Sequence, residues 1–186
     1  YPVQNTTLES RGGTLPRDMV GLGSTFTYND FRLAFNFEYR GGGNVMYADL
    51  GRQMTFTGSG AWTSDRTDQI FQNSYFIDPV SGKDVPNTTI KVREPEYALW
   101  VNNYRLIAEN FVTPAWFIKL RDVNLSYTLP SAMVKKTKIF SAANVALYGR
   151  NVFTIVDSKN QFTDPEFSYT AGNGSGISNT LQTPPV

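Results

Sequence analysis

The stretch that most constrains this chain is FRLAFNFEYR, residues 31–40. Phe31, Leu33, Phe35, Phe37 and Tyr39 hold the odd positions, and Arg32, Ala34, Asn36, Glu38 and Arg40 the even ones. Such period-two alternation predicts a β-strand with one apolar and one polar face. Five large apolar side chains on one face need an apolar neighbour. That neighbour is either the second sheet of a soluble sandwich or the hydrocarbon of a bilayer.

Neighbouring segments extend the pattern. In VGLGSTFTY (20–28), Leu22, Phe26 and Tyr28 share a parity, and Asn29-Asp30 supplies residues that tolerate a tight turn. Segments 20–28 and 31–40 therefore predict a β-hairpin. A third strand is expected within 115–130, where Val123, Leu125 and Tyr127 alternate with Asp122, Asn124 and Ser126. Pro130 ends it, and SAMVKK (131–136) predicts one helical turn. A fourth strand over 143–155 puts Val145 and Leu147 on one face, and a last strand begins near Leu181.

Residues 1–18 read as loop. From 41 to 115 the alternation is lost and turn residues dominate, with a short helix at 96–111 the only other element expected. Its face, formed by Leu99, Asn103, Leu106 and Asn110, is mixed. GGGNVMYADLG (41–51) lacks both a clear strand-to-helix passage and a Lys-Ser/Thr pair, which argues against a phosphate cradle. Asp78 and Asp84 bracket an exposed turn without calcium-loop spacing. Residues 158–180 form a second long, polar, Gly-rich loop.

Composition narrows the function. Histidine and cysteine are both absent, which removes thiolate metal sites, Ser-His-Asp and Cys-His arrangements, and the usual general base. Lys and Arg number 17 against 16 Asp and Glu, so no basic surface points to nucleic acid. Thirteen Phe, ten Tyr and three Trp with fifteen Gly suit an all-β chain rich in turns. No run approaches the roughly 18 apolar residues of a membrane helix, so a bilayer would have to be crossed by strands. The first residues show no signal peptide, and the chain reads as cut at both ends.

Connection lengths add an asymmetry. Short links at 29–30 and 129–142 alternate with long ones at 41–115 and 156–180. Transmembrane barrels show this pattern, with short periplasmic turns and long outer loops. Tyr28, Phe31, Tyr39 and Tyr127 sit near strand ends, where an aromatic girdle lies. Pattern alone leaves a soluble sandwich or jelly roll and a membrane barrel both open.

FIKLRDVNLSYTLPSAMVKK (117–136) and VALYGRNVFTI (145–155) resemble the C-terminal region of SusC/RagA-like TonB-dependent transporters. The first is similar to a family strand reading Leu-Arg-Leu-Lys-Asn-Val-x-Leu-x-Tyr-x-Leu-Pro, followed by a short helical turn. Ile118, Leu120, Arg121, Val123, Leu125, Tyr127, Leu129 and Pro130 carry the match. Gly149, Asn151, Phe153 and Thr154 resemble the Gly-x-Asn-Leu-Phe-Thr that follows. Asp164-Pro165-Glu166 and the Phe-rich hairpin of 23–43 resemble further family segments, as does Trp62-Thr63. These motifs keep the family's order over most of the chain.

The resemblance implies an all-β fold: antiparallel strands of a large transmembrane β-barrel, here a C-terminal portion (1–186) with four strands and the start of a last one. Such barrels have on the order of 22 strands around a plug. Plug and final strand are expected to lie outside this chain. With the C-terminus periplasmic, strands 143–155 and 31–40 rise while 116–129 and 20–28 descend, so both short links fall in the periplasm. Phe31, Leu33, Phe35, Phe37 and Tyr39 then face lipid, and Arg32, Asn36, Glu38 and Arg40 face the lumen. Implied further are TonB-dependent uptake of oligosaccharides or peptides, a SusD-like surface lipoprotein as partner, the outer membrane of a Gram-negative bacterium as location, no cofactor and no catalysis.

Candidate contacts for substrate lie in the outer loops. Tyr97, Trp100 and Tyr104 offer aromatic faces to a sugar ring, against the alternative that they pack within their own loop. Asp164 and Glu166 offer hydrogen bonds or a cation site, against a turn built around Pro165. Lys119 and Arg121, with Arg32, Glu38 and Arg40, read as wall or plug-facing ion pairs. The rival assignment is a soluble glycan-binding β-sandwich module using Trp62, Trp100 or Trp116 as its platform.

Overall fold

The structure, a computed structural model, describes residues 5, 7–63, 68, 70, 73–91, 99–161, 163–168 and 172–178. Nine strands occur among them: β1 (Asp18–Tyr28), β2 (Phe31–Gly41), β3 (Val45–Ala48), β4 (Tyr75–Ile77), β5 (Asp84–Pro86), β6 (Val112–Pro114), β7 (Phe117–Thr128), β8 (Asn144–Val156) and β9 (Ile177–Ser178). Two helices, α1 (Asp49–Thr57) and α2 (Ser131–Lys136), a π-helical turn at 99–101 and short 3-10 turns join them among the described residues. The chain divides into two bodies. One is a sheet body of Gly12–Val45 with Pro114–Asn160, and the other is centred on Met46–Thr113 and takes in β9.

The sheet body is a four-stranded antiparallel meander in the order β1-β2-β7-β8. Tyr28 pairs with Phe31, so a two-residue turn joins β1 to β2, and Asn29 adopts a left-handed φ of 50° there. Asn tolerates that conformation better than other residues with a side chain. At the same end, α2 follows Pro130, and its Val134 is buried. The connection between β2 and β7 leaves and returns at the opposite end, where Arg40 lies opposite Phe117, and the chain leaves β8 there too, with Phe117 opposite Val156.

Register assigns every side chain to a face. One face carries the rows Tyr28–Phe31–Tyr127–Val145, Phe26–Leu33–Leu125–Leu147, Ser24–Phe35–Val123–Gly149, Leu22–Phe37–Leu120–Phe153 and Val20–Tyr39–Ile118–Ile155. Within these rows Ser24 is the only side chain that is polar without being aromatic. Rings link across it: Phe31 and Tyr127 are 4.5 Å apart, and Phe26–Phe35 and Phe37–Phe153 each 5.9 Å. Such cross-strand pairs are the unit of sheet stabilisation. Nevertheless, Leu22 is 62 % exposed, Phe26 58 % and Leu147 73 %. The chain leaves this apolar face uncovered over β1 and β8.

A pair of bulges keeps that face continuous. In β7 the apolar positions change parity, from Ile118 and Leu120 to Val123, Leu125 and Tyr127. The β2–β7 register shifts at the same place: Asn36 opposes Asp122 while Phe37 opposes Leu120, leaving Arg121 as the extra residue. In β8, Asn151 (φ 48°) and Val152 together oppose Arg121. A one-residue slip moves every later side chain to the other face, and here the bulge cancels the slip already written in the sequence. Gly149 is required beside it, because a Cβ there would lie 2.8 Å from Val152 Cγ2 and 3.1 Å from Val123 Cγ1.

The second body arises where the sequence showed no regular elements, so the irregular stretch 41–115 is corrected. It holds a three-stranded sheet in the order β6-β3-β9, with β9 parallel to β3, and a β4–β5 hairpin. Strand β3 runs directly into α1, so a strand-to-helix passage does exist within 41–51. Its first turn carries Asp49, whose charge opposes an anion at the helix N-terminus. Gly58, left-handed at φ 70°, ends α1 and donates its N–H to the Met54 and Thr55 carbonyls. Alternation failed as a signal because these elements are two to nine residues long and α1 contains Gly51, a poor helix former.

The helix expected at 96–111 is not continuous: a π-helical turn at 99–101 gives way to single 3-10 turns at Tyr104–Leu106 and Ala108–Phe111, with Ile107 extended between them. Residues 96–98 and the strand expected near Leu181 lie outside the described residues. Met46, Ala48, Leu99 and Phe111 form the buried core of this body, with the polar Thr55, Thr63 and Ser178. The Thr55 and Thr63 hydroxyls donate to the Gly51 and Gly60 carbonyls, which makes their burial tolerable. The described strands form no closed barrel.

Candidate functional site: the polar face of the four-stranded sheet

The face opposite the apolar rows carries the rows Thr25–Ala34–Asn124–Tyr148, Gly23–Asn36–Asp122–Arg150, Gly21–Glu38–Lys119–Thr154 and Met19–Arg40–Phe117–Val156. At mid-height, small Gly23 and Ala34 stand beside Asn36, Asp122 and Asn124. They leave an open concavity of about 410 Å³. Its polar groups are carboxamides, hydroxyls and one carboxylate, able to donate and accept hydrogen bonds to a polar chain. Asp122 itself accepts from the Tyr148 hydroxyl and pairs with Arg150 at 3.7 Å.

Nearer the end that bears the long connections, charges gather around an aromatic ring. Glu38 accepts from Arg40 and from Arg121, one guanidinium on each carboxylate oxygen. The Arg40 and Arg121 guanidinium carbons lie 5.8 and 5.7 Å from the Phe117 ring centroid, and Lys119 Nζ lies 5.1 Å from it. Phe117 and Lys119 are both buried. A cation over an aromatic face is attracted by the ring quadrupole, more strongly when water is excluded. The bulge explains how Arg121 joins this cluster: as the extra residue of β7 it turns toward Glu38 instead of taking an apolar position.

Just past β8, Asp157 fixes the sheet's rim. It accepts from the Trp116 indole N–H at 3.0 Å and from the Lys159 backbone N–H at 2.9 Å. The Lys159 N–H first, then the Trp116 indole, holds its carboxyl below the usual carboxylate range.

Of the residues expected to contact a substrate, Trp100 and Tyr104 belong to the second body. Their rings meet edge to face at 5.1 Å, and Tyr104 meets Phe111 the same way at 5.9 Å. Burial raises the Tyr104 hydroxyl pKa, and the Trp100 indole nitrogen is buried without a hydrogen-bond partner among the described residues. Asp164 Oδ1 accepts the Glu166 N–H, and the Asp164 carbonyl accepts the Phe167 N–H, closing a turn about Pro165. Tyr97 lies outside the described residues. Sheet geometry brings Arg32, Asn36, Glu38 and Arg40 onto one face. The other candidates meet in two pairs, Trp100 with Tyr104 and Asp164 with Glu166.

Sequence reasoning missed Phe117 as the ring under the cations and the Asp122–Tyr148–Arg150 contact. The parity change within β7 was the available signal for the bulge that organises both. Among the described residues no group of three or more acidic side chains is placed to hold a metal ion, and no helix is long and apolar enough to cross a membrane.

Comparison with solved structures gives a fold likeness. The chain is similar to part of a chain in the structure of the RagAB peptide importer in the closed-closed state, with a TM-score of 0.51, 21 % identity and 90 % of this chain covered. The open-open state of the same importer aligns at a TM-score of 0.48 and 20 % identity over 89 % of this chain. This chain spans 16 % of the length of the closed-closed importer chain. No family model matches the sequence, and no curated protein matches it. What the comparison establishes is the fold: an antiparallel sheet arranged as in one portion of an importer chain.

Proposed function

We propose that this chain forms part of the wall of a TonB-dependent outer-membrane transporter of the SusC/RagA type in a Gram-negative bacterium. One observation carries the proposal: five apolar rows share one face of a sheet whose other face is polar and ion-paired, and along β1 and β8 their side chains stand exposed. Exposed apolar area of this extent marks a membrane or partner surface. Strand lengths of 11 to 13 residues suit a bilayer, which tilted strands of about 9 to 11 residues cross. The long connections at one end and short ones at the other fit outer loops and periplasmic turns.

On this reading the polar face, with Arg32, Asn36, Glu38 and Arg40, lines the lumen. Tyr97, Trp100, Tyr104, Asp164 and Glu166 lie in outer loops that meet the substrate. The cargo is an oligosaccharide or a peptide, delivered with a SusD-like lipoprotein and driven through TonB acting on a plug elsewhere in the full transporter. No bond is made or broken, so no residue is assigned to catalysis. The glycan-binding sandwich needs the apolar face sealed by a second sheet, and the exposure of Leu22 and Leu147 speaks against it. Size-exclusion chromatography with and without detergent tests the proposal. The full chain is expected to aggregate in plain buffer and to become monodisperse in detergent; a stable monomer in plain buffer overturns it.

A further inference from the structure

The short connection between β7 and β8 carries features that wall-building does not need. Among residues 131–140, Val134 packs inward at 3 % exposed, while Met133 is 60 %, Ile139 78 % and Phe140 60 % exposed. Lys135, Lys136 and Lys138 are exposed between them, and none makes an ion pair among the described residues. Against these lysines, the two short connections hold a single acid, Asp30.

The segment is built, not slack. The Thr137 hydroxyl donates to the Val134 carbonyl at 2.7 Å and accepts from the Ile139 and Phe140 N–H groups at 3.4 Å each. Lys138 holds a left-handed φ of 56°, which a residue with a side chain seldom adopts without a compensating arrangement. In register, the adjoining row is Tyr28–Phe31–Tyr127–Val145, the last row of the apolar face.

We propose that this connection is an interfacial anchor: Met133, Ile139 and Phe140 enter the acyl boundary while Lys135, Lys136 and Lys138 hold anionic phospholipid headgroups. Alternating apolar and basic groups of this kind lie in the plane of a membrane surface, with lysine stems reaching up to the headgroups. Charge complementarity and continuity with the apolar rows select a lipid surface as the occupant. The proposal rests on the membrane reading above.

The full chain, diluted from denaturant onto vesicles and recovered by flotation, separates the two. One set is phosphatidylcholine; the other holds phosphatidylcholine and phosphatidylglycerol in equal parts. The unaltered chain is expected on both, with phosphatidylglycerol preferred. Replacing all three lysines (Lys135→Gln, Lys136→Gln, Lys138→Gln) should cut that preference about tenfold or more while leaving phosphatidylcholine binding unchanged. Raised salt should do the same to the unaltered chain, so the test survives a variant that folds poorly. Replacing the apolar residues (Met133→Ser, Ile139→Ser, Phe140→Ser) should lower recovery on both vesicles alike. A preference that persists without the lysines and in high salt overturns the anchor yet keeps the membrane reading. So does a chain that ignores phosphatidylglycerol, which leaves the lysines to an acidic protein surface. Recovery on neither vesicle overturns both.

Discussion

The two bodies of this chain treat apolar side chains in opposite ways. In the second body, Phe111 and Leu99 are 1 and 2 % exposed and are surrounded by the chain's own short elements. In the sheet body, Leu22, Phe26 and Leu147, on the outer strands β1 and β8, stand well over half exposed, while the polar face carries the hydrogen-bonded charges. A chain that can seal one core has no shortage of means to do so. The difference is the one the proposed membrane wall expects, with hydrocarbon as the partner of the sheet's apolar face.

Truncations should separate the bodies most sharply. Phe111→Ala removes a fully enclosed ring and should cost about 3–5 kcal/mol of unfolding free energy, whereas Leu147→Ala, already exposed, should stay within about 0.5 kcal/mol in detergent. Denaturant titration of both variants measures the contrast. Equal losses would mean that the sheet's apolar face is a core after all.

Placing a charge on that face comes next. Leu147→Arg, one row from the middle of the sheet, should cost about 2–4 kcal/mol when folding is measured in bilayers. The same change on a water-facing strand would be nearly silent. Equilibrium folding into vesicles reads the difference.

Within the polar face, Glu38→Gln should cost about 1–3 kcal/mol, because it leaves the Arg40 and Arg121 guanidinium groups around Phe117 without their shared carboxylate. Replacing Arg32, exposed and two rows beyond Asn36, should change stability little. Thermal unfolding of the two variants in one detergent compares them.

The smallest expected effect is a pH dependence at the rim. Asp157 has its folded pKa lowered from the usual 3.8, so the stability it contributes is present above that value and lost as pH falls through the lowered one. Asp157→Asn should flatten the acid limb of the unfolding midpoint. An unchanged limb would mean that the Trp116 and Lys159 contacts do not distinguish the charged form.

What the sequence made legible follows the same division. The hairpin at Asn29-Asp30, the four strands and the helical SAMVKK segment were readable because period two runs unbroken through 31–40 and because Asn29-Asp30 and Pro130 mark where strands end. The β3–α1 passage, the β4–β5 hairpin and the parallel β9 were not, since such short elements are held by tertiary contacts that no local pattern encodes. The polar-face charges were nameable one by one. Their gathering at Phe117 was hidden because it depends on a bulge, and a bulge shows in sequence only as the parity change between Leu120 and Val123.

The claim on which the account turns is that the odd positions of β2 face hydrocarbon. The chain contains no cysteine, so positions 31 to 40 can each be replaced by cysteine in turn and spin-labelled without background. In bilayers, the account predicts that accessibility to oxygen peaks at 31, 33, 35, 37 and 39, while accessibility to a water-soluble nickel chelate peaks at 32, 34 and 36. Labels at the odd positions that are shielded from both reagents, or that follow the chelate, would contradict it.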